Sequence, residues 1–199
     1  PAVAQGWQAA RGHAPTKDDI DAVYEVFGPM NEAVIAVYAP LVPGAKACVD
    51  ELRAAGLKIG STTGYTRSIM QRVLPLAAAQ GYAPDNLVCA DDMPHGRPTP
   101  MNMYRCFVEL DVWPAAAVLK VDDTAPGIAE GVAAGCPTIG LALSGNEAGI
   151  APEQFARMSE ADKAPIRQRA TRSLKDAGAD HVIDSVADLL PLLRRLGAV

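Results

Sequence analysis

From Gly44 onward the sequence repeats one unit: a segment with helical spacing, a turn residue, and a short apolar run that ends in polar residues. The spacing predicts a helix over 45–55 closed by Gly56, a strand over Leu57–Thr62, a helix over 68–80 stopped by Gly81, and a strand over 86–90. Beyond the polar loop Asp91–Pro100 it predicts a helix to Leu110, a strand over 117–121, a helix to Ala134 before Gly135, and a strand over 138–143. Pro165–Asp176 reads as a helix, His181–Ile183 as a brief strand, and 186–196 as a closing helix. Short strands separated by helices cannot be hairpin partners. Their crossovers make neighbouring strands parallel and cover both faces of the sheet. The chain therefore reads as α/β.

The first 40 residues break that pattern and read as helices. Thr16 followed by Lys17, Asp18 and Asp19 has the form of an N-cap with acid in the first turn. Apolar residues then recur at Ile20, Val23, Tyr24, Phe27, Met30, Val34 and Val37, a helical stripe that Gly28-Pro29 is expected to bend or break. Pro40 and Pro43-Gly44 mark the boundary. A net charge of −5 argues against nucleic acid as the main partner. No apolar run approaches the ~18–20 residues that span a bilayer, which excludes a membrane-spanning helix. Cys48, Cys89, Cys106 and Cys136 are scattered, with no metal-ligand spacing, and read as buried thiols of a reduced, cytoplasmic protein.

In parallel sheets of this kind, ligands bind just past the carboxyl ends of the strands. Those positions hold Ser61 to Tyr65, Asp91-Asp92 with Gly96-Arg97-Pro98, Asp122-Asp123-Thr124, and Ser144-Gly145-Asn146. Thr63-Gly64 offers a hydroxyl donor beside a backbone that a ligand can approach, which suits an anionic oxygen; simple capping of the next helix by Thr66 or Ser68 is the alternative. Arg97, held between Gly96 and Pro98, suits bidentate phosphate recognition, or else braces its loop against Asp91 or Asp92. Asp122-Asp123 follow an apolar run broken only by Lys120, and two carboxylates at a buried strand end suit Mg²⁺, or else one caps the next helix while the other faces water. A hydroxyl, a guanidinium and a carboxylate gathered in one crevice form a phosphoryl-handling site.

That order resembles motifs two, three and four of the haloacid dehalogenase superfamily, carried by Thr63, Arg97 and Asp122-Asp123. LKIGSTTGYTR (57–67), DDMPHGRPTP (91–100) and KVDDTAPGIAEG (120–131) resemble the phosphonoacetaldehyde hydrolase family within it. The resemblance implies a haloacid-dehalogenase-like core over 41–199, with a parallel sheet and helices on both faces, and the second half of a helical cap over 1–40. It implies hydrolysis of a carbon–phosphorus bond with Mg²⁺ as cofactor, a small phosphonate as substrate, and a possible homodimer formed through the cap. Carried across by position, Thr63, Arg97 and Asp123 would be catalytic. Thr63, Gly64, Tyr65 and Arg97 would bind substrate, with Tyr65 facing the cap, and Asp123 would hold the metal, leaving Asp122 a less defined role.

The family also uses a nucleophilic aspartate in an Asp-x-Ala-Gly-Thr motif and a cap lysine that forms a Schiff base with the aldehyde. Neither has a counterpart here. Asp18, Asp19 and Asp21 open a helix, the strand-like run 33–38 contains no Asp, and Lys17, Lys46 and Lys58 stand in other contexts. The expectation is a chain without the family's amino-terminal part, lacking the strand between those ending at Thr63 and at Asp122-Asp123, and inactive alone. A capped phosphatase acting on a small phosphate ester, or a silent phosphate- or partner-binding relative, are the alternatives.

Overall fold

The computed structural model describes residues 2–35, 37–150 and 152–199. Two amino-terminal helices, α1 (Ala2–Arg11) and α2 (Lys17–Val34), lead into α3 (Ala45–Ala54), β1 (Gly60–Thr62), α4 (Arg67–Ala79), β2 (Asn86–Val88) and α5 (Met101–Leu110). After these come β3 (Lys120–Asp122), α6 (Ala125–Ala134), β4 (Thr138–Leu141), a short α7 (Pro152–Phe155), α8 (Glu160–Asp176), β5 (His181–Ile183) and α9 (Leu189–Leu196). The alternation expected from the sequence is present, and every strand pairing is parallel. Gly81 and Gly135 end their helices at φ 92° and 81°, a conformation that glycine adopts without steric cost.

The strands are shorter than the apolar runs that announce them. Leu57–Ile59 stays outside the ladder because Asp85 takes its place: the Ile59 N–H donates to Asp85 Oδ2 at 2.7 Å, and the Asp85 N–H donates to the Ile59 carbonyl at 2.7 Å. Ala115–Ala117 winds into a single 3₁₀ turn, so pairing begins only at Lys120. At the other end of the chain, α8 starts five residues before Pro165, because Ser159 and Asp162 form a reciprocal capping box there. The amino-terminal stripe also differs from expectation. Pro29 sits inside α2 without ending it; Glu25, whose carbonyl loses its helical donor, is exposed and can be served by water. Tyr24, Phe27, Met30, Val34 and Val37 of the stripe are exposed rather than buried. The run 33–38 is not a strand: it is the end of α2 followed by turns, with residue 36 outside the described residues.

The five strands form two sheets, β1-β2 and β3-β4-β5, and among the described residues no backbone bond joins β1 to β3. Side-chain direction alternates along each strand. Val121, Ile139 and Ile183 face α3 and α9, where Cys48, Leu52, Leu189, Leu190, Leu192 and Leu193 close one core. On the opposite face Ile128 of α6 and Leu174 of α8 pack with Val182. Lys120 and Asp122 point to this second face, toward α6, whose Gly127 and Gly131 leave room for them. A Cβ on Gly131 would lie 2.6 Å from Lys120 Cγ, and one on Gly127 would overlap the Asp122 carboxylate. Among the described residues no helix is long and apolar enough to cross a membrane. The four cysteines are free and buried.

Candidate active site

Arg97 joins the carboxyl ends of β1 and β3, the two strand ends that flank the expected crevice. Its Nη2 donates to the Thr62 carbonyl at 2.9 Å and to Thr62 Oγ1 at 3.1 Å, and lies 3.2 Å from Asp122 Oδ2. Thr62 and Asp122 are the chain neighbours of Thr63 and Asp123. The strand ends that carry Thr63 and Asp123 are thus held together by the third expected residue. Arg97 does not brace its own loop. Asp92 is taken instead by Arg67 and by the Cys89 N–H at 2.7 Å, and Asp91 Oδ1 accepts the Arg67 N–H at 2.8 Å at the start of α4. Burial raises the Asp92 pKa, but the Cys89 N–H and the Arg67 guanidinium outweigh it and hold the carboxyl below its usual range.

Each remaining candidate has a distinct setting. Thr63 Oγ1 accepts the Tyr65 N–H at 3.1 Å, which shapes the turn and leaves its own O–H to donate. Gly64 has open space where a side chain would stand. Tyr65 is partly exposed. Neither Thr66 nor Ser68 caps α4 through its side chain; the two hydroxyls bond each other at 2.9 Å.

The two aspartates divide sharply. Asp122 is buried and its oxygens are in use: Oδ1 accepts the Thr124 N–H at 3.0 Å and Oγ1 at 2.8 Å, while Oδ2 faces Arg97 and Lys120, each at 3.2 Å. It neither faces water nor reaches the crevice mouth. Asp123 has Oδ2 tethered by the Asn146 N–H at 2.7 Å, and Gly145 is a glycine because any Cβ there would strike the Asp123 side chain. Its Oδ1 has no partner among the described residues. A half-buried carboxylate with one oxygen anchored and the other open fits a hard divalent cation, which needs few protein ligands and keeps its waters. A second acidic group, Cys89 with Asp91 and Asp92, also brings three ligand atoms together, but Arg67 already engages it, its guanidinium on Asp92 and its N–H on Asp91.

Sequence reasoning missed the floor of this crevice. Glu130 of α6 is fully buried. Its Oε2 accepts Thr62 Oγ1 at 2.8 Å and Lys120 Nζ at 2.7 Å, and stands 3.2 Å from Arg97 Nε. Lys120 Nζ also donates to Thr62 Oγ1 at 2.7 Å. Two cations and two carboxylates thus fill the space between β1 and β3. The signals were present: Lys120 interrupts an apolar strand, and Glu130 is the one charged residue of a helix otherwise made of small and apolar residues.

A parallel α/β core with a guanidinium and two carboxylates at adjoining strand ends defines a haloacid dehalogenase-like hydrolase, and the family model of that description matches residues 3–135. The similarity goes deeper than the superfamily. The chain is 49% identical over 193 residues to a phosphonoacetaldehyde hydrolase of Paraburkholderia phytofirmans, covering 97% of this chain and 72% of the relative. It is 44% identical over 199 residues to that of Klebsiella pneumoniae, covering 100% of this chain and 74% of the relative. A crystal structure of a phosphonoacetaldehyde hydrolase-like protein from Oleispira antarctica superposes with a TM-score of 0.89 at 39% identity, over 98% of this chain and 71% of that one. The chain belongs to the phosphonoacetaldehyde hydrolase family.

Proposed function

We propose that the protein hydrolyses the carbon–phosphorus bond of phosphonoacetaldehyde, giving acetaldehyde and phosphate. The observation that carries this reading is the 49% identity with a phosphonoacetaldehyde hydrolase across 97% of the chain. The crevice supports it chemically. The Thr63 hydroxyl and the open backbone at Gly64 receive phosphoryl oxygens, Arg97 neutralises the phosphonate, and Tyr65 lines the outer side. Asp123 would hold Mg²⁺, which when bound offsets the charge on the phosphoryl group.

Phosphorus departs from carbon only if carbon can keep the electron pair. Condensing the aldehyde with a lysine makes an iminium that accepts that pair, while a carboxylate takes the phosphoryl group and water later releases it. The described lysines do not supply the amine. Lys17 pairs with Asp21, Lys46 with Asp50 and Lys163 with Glu160, and Lys58 and Lys175 donate to the Leu110 and Asp180 carbonyls at 2.5 and 2.6 Å. Lys120 lies in the crevice floor with its ammonium directed at Thr62, Glu130 and Asp122, which makes it a support rather than a nucleophile. These 199 residues therefore supply the phosphonate- and metal-binding side of the reaction, and alone are expected to be inactive. Residues 1–40 act as part of the cap, through which two copies would pair. A reduced, cytoplasmic setting accords with the four free thiols.

The test is acetaldehyde release from phosphonoacetaldehyde by the protein as its gene encodes it, with and without borohydride. Turnover that borohydride abolishes only in the presence of substrate supports the reading. Hydrolysis of phosphate esters with no borohydride sensitivity would overturn it in favour of a phosphatase.

A further inference from the structure

We infer that Glu130 is a positioning residue for Arg97: its buried carboxylate sets the direction in which the guanidinium meets the phosphonate. This rests on the reading of Arg97 as the phosphonate-binding cation. A carboxylate with no solvent exposure is retained only where donors surround it. Its partners come from three separate elements: Thr62 of β1 and Lys120 of β3 donate to Oε2, and Arg97 of the loop before α5 stands 3.2 Å from it as an ion pair, while Oε1 has no partner among the described residues. The approach is built into α6. Gly127 and Gly131 flank Glu130 on the face turned to β3 and let the helix backbone come close enough to seat it.

The grip on Arg97 is one-sided. Glu130 Oε2 lies 3.2 Å from Nε as a buried ion pair without a hydrogen bond, while the Thr62 carbonyl and hydroxyl accept from Nη2 and Asp122 stands 3.2 Å from it, so one edge of the planar guanidinium faces the protein. Nη1 has no partner among the described residues and remains for a ligand oxygen. A planar fork recognises a tetrahedral anion only when its plane is correctly turned. Lys120 completes the device. Two carboxylates against Arg97 alone would leave the crevice floor negative and repel the substrate; the ammonium restores balance without occupying the mouth. Glu130 touches neither Asp123 nor Thr63 itself, and coupling to Arg97 separates its action on the guanidinium from its bonds to Thr62 and Lys120.

The experiment is a double-mutant cycle on the protein as its gene encodes it, with Glu130→Gln, Arg97→Ala and the pair. The readouts are KM for phosphonoacetaldehyde and inhibition by inorganic phosphate. Glu130→Gln is expected to raise KM and weaken phosphate inhibition about tenfold in the parent, and by less than about twofold once Arg97 is alanine. Equal effects in both backgrounds would mean that Glu130 acts through the fold at large, and would overturn the inference. If Arg97→Ala itself leaves KM unchanged, the failure belongs to the phosphonate-binding reading, and the inference falls with it. Should Glu130→Gln not fold, Glu130→Asp, which keeps the charge but draws it back from the partners of Oε2, enters the same cycle with the same criterion.

Discussion

Replacing Gly127 with alanine puts the contact between α6 and β3 to a direct test. A methyl group there would overlap Cγ and both oxygens of Asp122. Asp122 cannot yield cheaply. Its carboxylate holds the Thr124 N–H and hydroxyl at 3.0 and 2.8 Å, and Arg97 and Lys120 at 3.2 Å each. Displacing it breaks a buried ion pair, worth about 3–5 kcal/mol. Alanine in a helix interior returns about 1 kcal/mol relative to glycine. The net loss is about 3 kcal/mol, which for a chain of this size lowers Tm by roughly 6–12 °C. Gly28→Ala in α2 is the control, since open space surrounds that position and helix propensity alone should stabilise it by about 0.5–1 kcal/mol. Differential scanning calorimetry of both variants beside the parent gives the answer. A Gly127→Ala protein melting within about 2 °C of the parent would refute the claim that glycine is required for this contact.

Asp123→Asn should weaken Mg²⁺ binding at least about tenfold by isothermal titration, because one of the few ligands a hard cation draws from protein is lost, while the melting temperature stays near the parent's. Burial pushes the thiols of Cys48, Cys89, Cys106 and Cys136 above their ordinary range. An aromatic disulfide reagent at neutral pH should therefore modify them slowly in the native protein and rapidly in urea; fast native labelling would contradict their burial. The lowered Asp92 carboxyl makes a signed statement about acid stability. Its contribution is present above the unfolded carboxylate value of about 4 and is lost as pH falls through the lower folded value. Urea midpoints of Asp92→Asn and parent should accordingly differ at pH 7 and converge in acid, and a gap that stays constant would show that the Arg67 pairing is not its source.

Much of the architecture was legible because its signals are local. Period, glycine stops and apolar runs named the elements from α3 to α9 except the short α7, and the strand-end rule led to Thr63, Arg97 and Asp123. Boundaries were less so, because capping by a distant side chain leaves no periodic trace: Asp85 keeps Ile59 out of β1, and the Ser159–Asp162 box starts α8 ahead of its proline. The stripe of α2 illustrates another limit. Periodicity reports an amphipathic face but not whether anything covers it. The crevice floor was hidden for a related reason. Lys120 and Glu130 are ten residues apart in sequence, each reads alone as an exception to an apolar pattern, and only the fold shows that the two exceptions answer each other.

That mutual answer also governs how the molecule comes apart. Where β1 and β3 stand opposite one another, polar side chains do the joining that a peptide ladder does elsewhere in the fold. Ladders are indifferent to ionic strength, whereas a knot of ammonium, guanidinium and carboxylates is not, once water reaches it. The phosphonate proposed to bind between these strand ends would act as a clasp on the two sheets.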